Sequence, residues 1–381
     1  MTDTGNCILC GKCMEVCPLL RASGQEELSP RAKANLSALL ASDIEALQEK
    51  DAAELAGLCL GCGRCKQKCP QGVDVPALVA DLRGKHPGFR GWLWNKWLKH
   101  ARELWPSTSL AARLIPSGMQ PERLSPFLKA MQLLKSGNGL KPFVRIKTLP
   151  KNHAGTSMML FSGCTARYVR PEWQHTALDL LSRLGIDVVK GKFGCCGMGL
   201  ECAGFQTDAA QMRDTNVLAW RKAGKPKIVT LCASCHKGLA EYSKNFEDAV
   251  EARQWIEALT PISRLVLQGC YVLTPQAPEW IGYHRPCHMQ HQDTDHAFLS
   301  AVLGEKLLEP DDRQCCGFGG VMQLGSPELC TQVNERCWQS LDGADTVLTG
   351  CSACVAQLAA SAPENIQVGH WLEILDLEDD A

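Results

Sequence analysis

Apolar positions recur along the chain with two periods. Near the start, Ser29 followed by Pro30 forms an N-cap and first-turn pair, and Ala32, Leu36, Leu39 and Leu40 fall on one helical face. Asp43 can cap a second helix carrying Ile44, Leu47, Ala52 and Leu55. Within 85–105, Trp94, Trp97, Leu98, Ala101 and Trp105 share a helical stripe, with Lys96, Lys99 and Arg102 elsewhere on the helix. Beyond residue 154 strand and helix alternate. Short apolar runs at 158–161, 228–231, 280–283 and 346–348 read as strands. Helical spacing appears in Ala177, Leu180, Leu181 and Leu184, in Phe298, Ala301 and Val302, and over 206–223 and 327–341. That alternation predicts α/β layers, with function gathered at the carboxyl ends of strands. No apolar stretch approaches the 18 or so residues a transmembrane helix needs.

Composition changes the picture through one residue type. The chain has 381 residues and 22 cysteines. A disulfide scaffold would be shorter and secreted. The opening MTDTGNCILC has neither a basic n-region nor an apolar h-region, so a reducing, cytoplasmic setting is expected, with thiols buried or bound to metal. Net charge is −1, but residues 83–151 hold 14 Lys and Arg against Glu103 and Glu122. Such a basic stretch reads as a docking surface. Nucleic acid is not expected, because no binding motif accompanies the charge.

Eight cysteines form two runs of the form C-x2-C-x2-C-x3-C-P: Cys7, Cys10, Cys13, Cys17 before Pro18, and Cys59, Cys62, Cys65, Cys69 before Pro70. In this motif three close thiolates converge on one cubane and the fourth reaches the other cluster. The expected ligand sets are therefore Cys7, Cys10, Cys13, Cys69 and Cys59, Cys62, Cys65, Cys17. Gly11, Gly61 and Gly63 let the backbone wrap close to the sulfurs. A pair of zinc sites is the alternative, although zinc ligands usually come as two separated pairs.

Ten further cysteines form a repeat. Cys164, Cys195-Cys196-Gly197 and Cys232-x-x-Cys235 recur as Cys287, Cys315-Cys316-Gly317 and Cys351-x-x-Cys354, displaced by 123, 120 and 119 residues. A near-constant period means two copies of one unit. This leaves Cys202, Cys270, Cys330 and Cys337. Cys330 and Cys337 lie seven apart on a predicted helix and read as core thiols. Cys202 is the leftover close to the Cys195-Cys196 loop.

The two N-terminal runs, separated by a helical insert, resemble the α-helical ferredoxin of succinate dehydrogenase-type and heterodisulfide reductase-type subunits. The repeat resembles the cysteine-rich CCG domain of the heterodisulfide reductase family. The implied fold is an α-helical ferredoxin domain (1–84), a basic, Trp-rich helical linker (85–153) and two repeated α/β CCG domains (154–262 and 263–381). In that family five such cysteines can hold a non-cubane [4Fe–4S] cluster. The resemblance thus implies two [4Fe–4S] clusters in the ferredoxin part and one or two further clusters on Cys164, Cys195, Cys196, Cys232, Cys235 and on Cys287, Cys315, Cys316, Cys351, Cys354. An ordinary cubane, zinc or an empty site are the alternatives for each unit.

Three details favour the iron–sulfur subunit family of glycolate oxidase and lactate dehydrogenase type: Ser29-Pro30-Arg31, the run from Pro286-Cys287 to Gln290-His291, and the tail His370-Trp371-Leu372-Glu373. Retention of Cys354 departs from those subunits, which can lack it, and moves the second unit toward heterodisulfide reductase. No dinucleotide fingerprint or P-loop occurs. Oxidation of a 2-hydroxy acid needs a flavin or nicotinamide, so FAD is expected on a partner flavoprotein dehydrogenase subunit, with a quinone or cytochrome as acceptor. The rival expectations are a catalytic heterodisulfide reductase-type subunit and the iron–sulfur subunit of anaerobic glycerol-3-phosphate dehydrogenase. His284, His288 and His291 around Cys287, and His236 after Cys235, read either as ligands or proton donors, or as hydrogen-bond partners of backbone and sulfur. The Trp stripe reads either as packing or as peripheral contact with the cytoplasmic face of a membrane.

Overall fold

A computed structural model describes residues 7–40, 57–114, 139–289, 293–309, 311 and 313–377. The expected helix over 43–55 and His291 lie outside the described residues. The first run of cysteines is followed by a helix over Pro18–Ser23, and Pro30–Leu40 forms the helix whose cap was expected. Ser29 accepts a hydrogen bond at Oγ from the Ala32 N–H, 3.1 Å away. Arg64–Lys68 and Val75–Lys85 complete this helical part, the second capped by Asp74, which accepts from Ala77 N–H.

The Trp-rich segment is two helices, Phe89–Lys99 and Ala101–Leu114, broken at His100. The break turns Trp105 back so that its indole N–H donates to the Trp97 carbonyl, 3.1 Å away. Trp94, Trp97 and Trp105 are buried against both cysteine-rich units, among Tyr168, Val169, Ala203 and Phe318. The stripe is therefore packing. Asn95 and Lys99 anchor the first of these helices to Asp208, at 2.7 and 2.6 Å, and those two bonds hold the Asp208 carboxyl below its ordinary range. Phe89 and Trp92 stay exposed and stack on each other.

Strand β1 (Val144–Thr148) precedes the first unit, whose strands are β2 (Ser157–Phe161), β3 (Asp187–Val188), β4 (Lys227–Thr230) and β5 (Leu259–Pro261). β6 (Cys270–Leu273) leads into the second unit: β7 (Ile281–Tyr283), β8 (Leu307–Leu308), β9 (Thr346–Thr349) and β10 (Gln367–His370), followed by β11 (Leu375–Asp376). The first sheet has order β3-β2-β4-β5 and the second β10-β9-β7-β8, all pairs parallel. Taken from β8, the second order repeats the first strand for strand. The sequence repeat is thus a repeat of topology. A third sheet, β11-β1-β6, ties the segment before the first unit to the connector and the tail.

The units do not pack as separate beads. One continuous core runs from Trp173, Leu180 and Leu184 in the first to Phe298, Leu348 and Trp371 in the second. The tail braces both. The Glu373 carboxylate accepts from Trp173 Nε1, the His370 N–H and the Leu140 N–H, at 2.7, 3.0 and 2.8 Å. The His370 ring lies 3.0 Å, at Nε2, from the Leu231 carbonyl beside Cys232. The helical N-terminal part packs on the second unit, with Leu19 and Leu28 against Met322, Cys330 and Val333.

Candidate metal centre

Parallel strands deliver the cysteines. Cys232 and Cys351 follow β4 and β9 and cap the helices Ala233–Glu241 and Ser352–Ala360, while Cys164 and Cys287 follow β2 and β7. The Cys-Cys-Gly loops turn at Gly197 and Gly317, with φ of 75° and 79°. A Cβ on Gly317 would lie 2.5 Å from the Cys330 carbonyl, so glycine is required there.

In the N-terminal part the structure brings Cys13 beside Cys7, Cys69 and Cys10, and Cys65 beside Cys62, Cys59 and Cys17. Backbone N–H groups of Gly61 and Val73 point to the sulfurs of Cys59 and Cys69, each at 3.4 Å. In the first unit Cys164 contacts Cys195, Cys195 contacts Cys196, Cys196 contacts Cys235 and Cys235 contacts Cys232. In the second, Cys316 lies 3.2 Å from Cys354, beside Cys315, with Cys351 and Cys287 adjoining.

These sets abut. The Cys62 sulfur faces Cys287 and Cys315. Cys232 and Cys351 meet across the two units. Serines cross-link that meeting: Ser352 Oγ lies 3.3 Å from Cys232 Sγ, and Ser234 Oγ lies 3.0 Å from Cys351 Sγ. The Ser352 N–H also donates to Cys232 Sγ at 3.4 Å. Nδ1 of His288 sits 2.9 Å from Ser234 Oγ. A cavity of about 220 Å³ opens between the parts, reached by Cys62, Cys196, Cys235, Cys316 and Cys354 and walled on one side by Trp97.

The thiols stand bare of disulfides among the described residues. Burial pushes Cys62 and Cys65 well up, neighbouring sulfurs push further, and the same two causes raise Cys287 to about 12. Buried sulfurs that repel one another as thiolates fit a bound cationic centre, which removes the charge penalty on deprotonation. The sets therefore fit iron–sulfur clusters: donors are thiols, access is limited except at the exposed Cys10, and backbone N–H groups face the sulfurs.

Three cationic residues at the site were not marked by the cysteine spacing. Arg83 donates to the Cys59 and Cys202 carbonyls, both at 2.7 Å, clamping the N-terminal loop to the first unit. Arg64 is buried and donates to the Gln314 carbonyl at 2.5 Å, next to Cys315. Lys33 is buried near Cys59, Cys17 and Cys65, and burial lowers its ammonium. Cys202 stands near Gly61 and Cys59 at the edge of the cavity, raised to about 11 chiefly by burial. Cys330 is buried under the N-terminal helices, and Cys270 is exposed on β6. His236 bonds to Thr230 Oγ1 at 3.0 Å, away from the sulfurs.

A model described as a 4Fe-4S dicluster domain matches residues 3–73, and one described as a cysteine-rich domain matches 158–240 and again 281–359. The glycolate oxidase iron-sulfur subunit of Escherichia coli K12 is 24% identical, over 97% of this chain and 93% of its own. One subunit of the dihydromethanophenazine:CoB–CoM heterodisulfide reductase of Methanosarcina acetivorans is 25% identical, over 94% and 89%. One subunit of the anaerobic glycerol-3-phosphate dehydrogenase of E. coli K12 is 27% identical, over 95% and 96%. The chain is thus an iron–sulfur protein that joins a 4Fe-4S dicluster domain to two cysteine-rich CCG domains, the architecture it shares with these oxidoreductase subunits.

Proposed function

We propose that this chain is the electron-transfer subunit of a flavin-dependent 2-hydroxy-acid dehydrogenase, oxidising glycolate or lactate on a partner flavoprotein that carries FAD. The observation that carries this reading is the file of abutting thiol sets, from Cys13 through Cys62, Cys287 and Cys351 to Cys232. Relatives of glycolate oxidase type support the choice of donor. In the α-helical ferredoxin part, Cys7, Cys10, Cys13, Cys69 and Cys59, Cys62, Cys65, Cys17 would each hold a [4Fe–4S] cluster. Cys164, Cys195, Cys196, Cys232, Cys235 and Cys287, Cys315, Cys316, Cys351, Cys354 would hold non-cubane ones. Bound clusters supply one-electron carriers. The chain's own residues keep the sets close, exclude water and lock the loops: Arg83 joins the N-terminal part to the first unit, and the serine pair joins the units.

The acceptor would be a quinone or cytochrome at the cytoplasmic face of a membrane. Among the described residues no helix is long and apolar enough to cross a bilayer. The exposed Phe89–Trp92 pair, with the exposed Lys96 one turn further along the same helix, supports a peripheral contact in place of the buried stripe.

Co-purification tests the reading. A complex carrying a flavin-binding subunit that reduces these centres with glycolate or lactate is expected; a complex without any flavoprotein overturns it. A second reading, disulfide reduction within the cavity, is favoured by the cysteines of both units that reach it and by Cys354. Turnover of a heterodisulfide with reduced viologen, lost in Cys196→Ser and Cys316→Ser, would select it.

A further inference from the structure

The two units differ at one buried position next to the sulfurs. Leu160 pairs with Val229 and Tyr283 with Leu348, each partner lying three residues before the first cysteine of its Cys-x-x-Cys. The next residue is therefore equivalent in both: Phe161 in the first unit, His284 in the second. Phe161 is fully buried and packs on Phe193, 5.3 Å between ring centres. His284 is also buried, and it is polar. Its Nδ1 lies 3.4 Å from the sulfur of Cys337, which is itself fully buried. A nitrogen of the same ring and the sulfurs of Cys316 and Cys354 lie within 4.8 Å of one another. Neutral or charged, the ring has an N–H to give.

We propose that His284 donates an N–H hydrogen bond to the Cys316 sulfur of the second unit, with Cys337 holding the ring in place, and that this bond makes the second centre easier to reduce than it would be without it. A hydrogen bond to a ligating sulfur withdraws charge from it and raises the potential of the centre it holds. Phe161 has no such proton, so the first unit lacks this bond, although its Cys232 sulfur accepts from the Ser352 N–H. Cys337 thereby gains a role: a buried thiol that fixes a ring, as carboxylates and carbonyls do for other metal-site histidines. His284 is a positioning residue, acting through the Cys316 sulfur.

The inference rests on iron–sulfur occupancy of the second unit, and the test separates the two. Holoprotein is titrated potentiometrically and followed by EPR, with iron and sulfide counted in every sample. His284→Phe, which copies the first unit, is expected to keep its iron while one centre moves to lower potential and the others stay. His284→Gln, whose amide retains an N–H donor, should recover part of the shift, and Cys337→Ala should give a smaller shift in the same direction. In wild-type protein labelled with 15N-histidine, pulsed EPR should find one weakly coupled nitrogen at that centre, a measurement that does not depend on the variants folding. An unmoved midpoint at full iron content, or the strong coupling of a nitrogen bonded to iron, overturns the assignment alone. A second unit without iron overturns the occupancy and the assignment together.

Discussion

The first and second cysteine-rich units share a strand order and a set of five thiols, yet they are enclosed differently. The first carries an added helix, Ala249–Ala258, between its Cys-x-x-Cys helix and its last strand, and Trp255 on that helix packs edge-on to Trp220 and face-on to Tyr242. The second passes from Ser352–Ala360 to β10 in a few residues and takes its cover from the N-terminal helices instead. Beside the sulfurs stand Phe161 in one unit and His284 in the other. The repeat thus fixes where the donors lie, while the surroundings decide what each site does. The first is closed on one side by its own added helix and shares the cavity with the second. The second carries His284 beside its sulfurs and faces Cys62.

Separate occupancy is the strongest way to break that comparison. Cys196→Ser and Cys316→Ser should each remove about 4 iron atoms while leaving the other unit loaded, with different EPR signals lost. Loss of both sets in either variant would show that the units fill as one. Next in size, Trp255→Ala should destabilise the first unit by about 3–5 kcal/mol, read by denaturant unfolding, because a fully buried indole is removed and its N–H bond to the Leu239 carbonyl is lost. An unchanged midpoint would mean the added helix is not part of that unit's core.

Glu373→Gln tests the brace between units. It replaces a carboxylate that accepts from Trp173, His370 and Leu140, and about 2 kcal/mol should be lost in the same unfolding measurement. The smallest effects belong to the serines, and they should be unequal. Ser352→Ala leaves Cys232 its bond from the backbone N–H, so about 1 kcal/mol or less is expected. Ser234→Ala also strips His288 of its Nδ1 partner and should cost more, roughly 1–2 kcal/mol. Equal losses would make the serine crossing symmetrical after all.

Local features were readable along the chain and long-range ones were not. The cysteine spacings grouped the thiols because each run is one tight loop, and the Ser29-Pro30 pair marked a helix start because capping is decided by neighbours. The Trp periodicity pointed to one stripe but not to the break at His100, which depends on Trp105 finding the Trp97 carbonyl. Arg83 reaches the Cys202 carbonyl, and Ser234 and Ser352, variable positions inside the two Cys-x-x-Cys motifs, reach each other's cysteines, all more than a hundred positions away. Cys330 and Cys337 read alike as core thiols; only the fold places one under apolar helices and the other against an imidazole. Glu373 in the tail had a pattern but no partner until Trp173 was found 200 residues earlier.

The central claim is that all four thiol sets hold iron. Iron and acid-labile sulfide per chain, measured on anaerobically purified protein, test it most directly. About 16 of each are expected from four [4Fe–4S] centres. A count of about 8 would confine clusters to the N-terminal part, and zinc without labile sulfide would contradict the claim throughout.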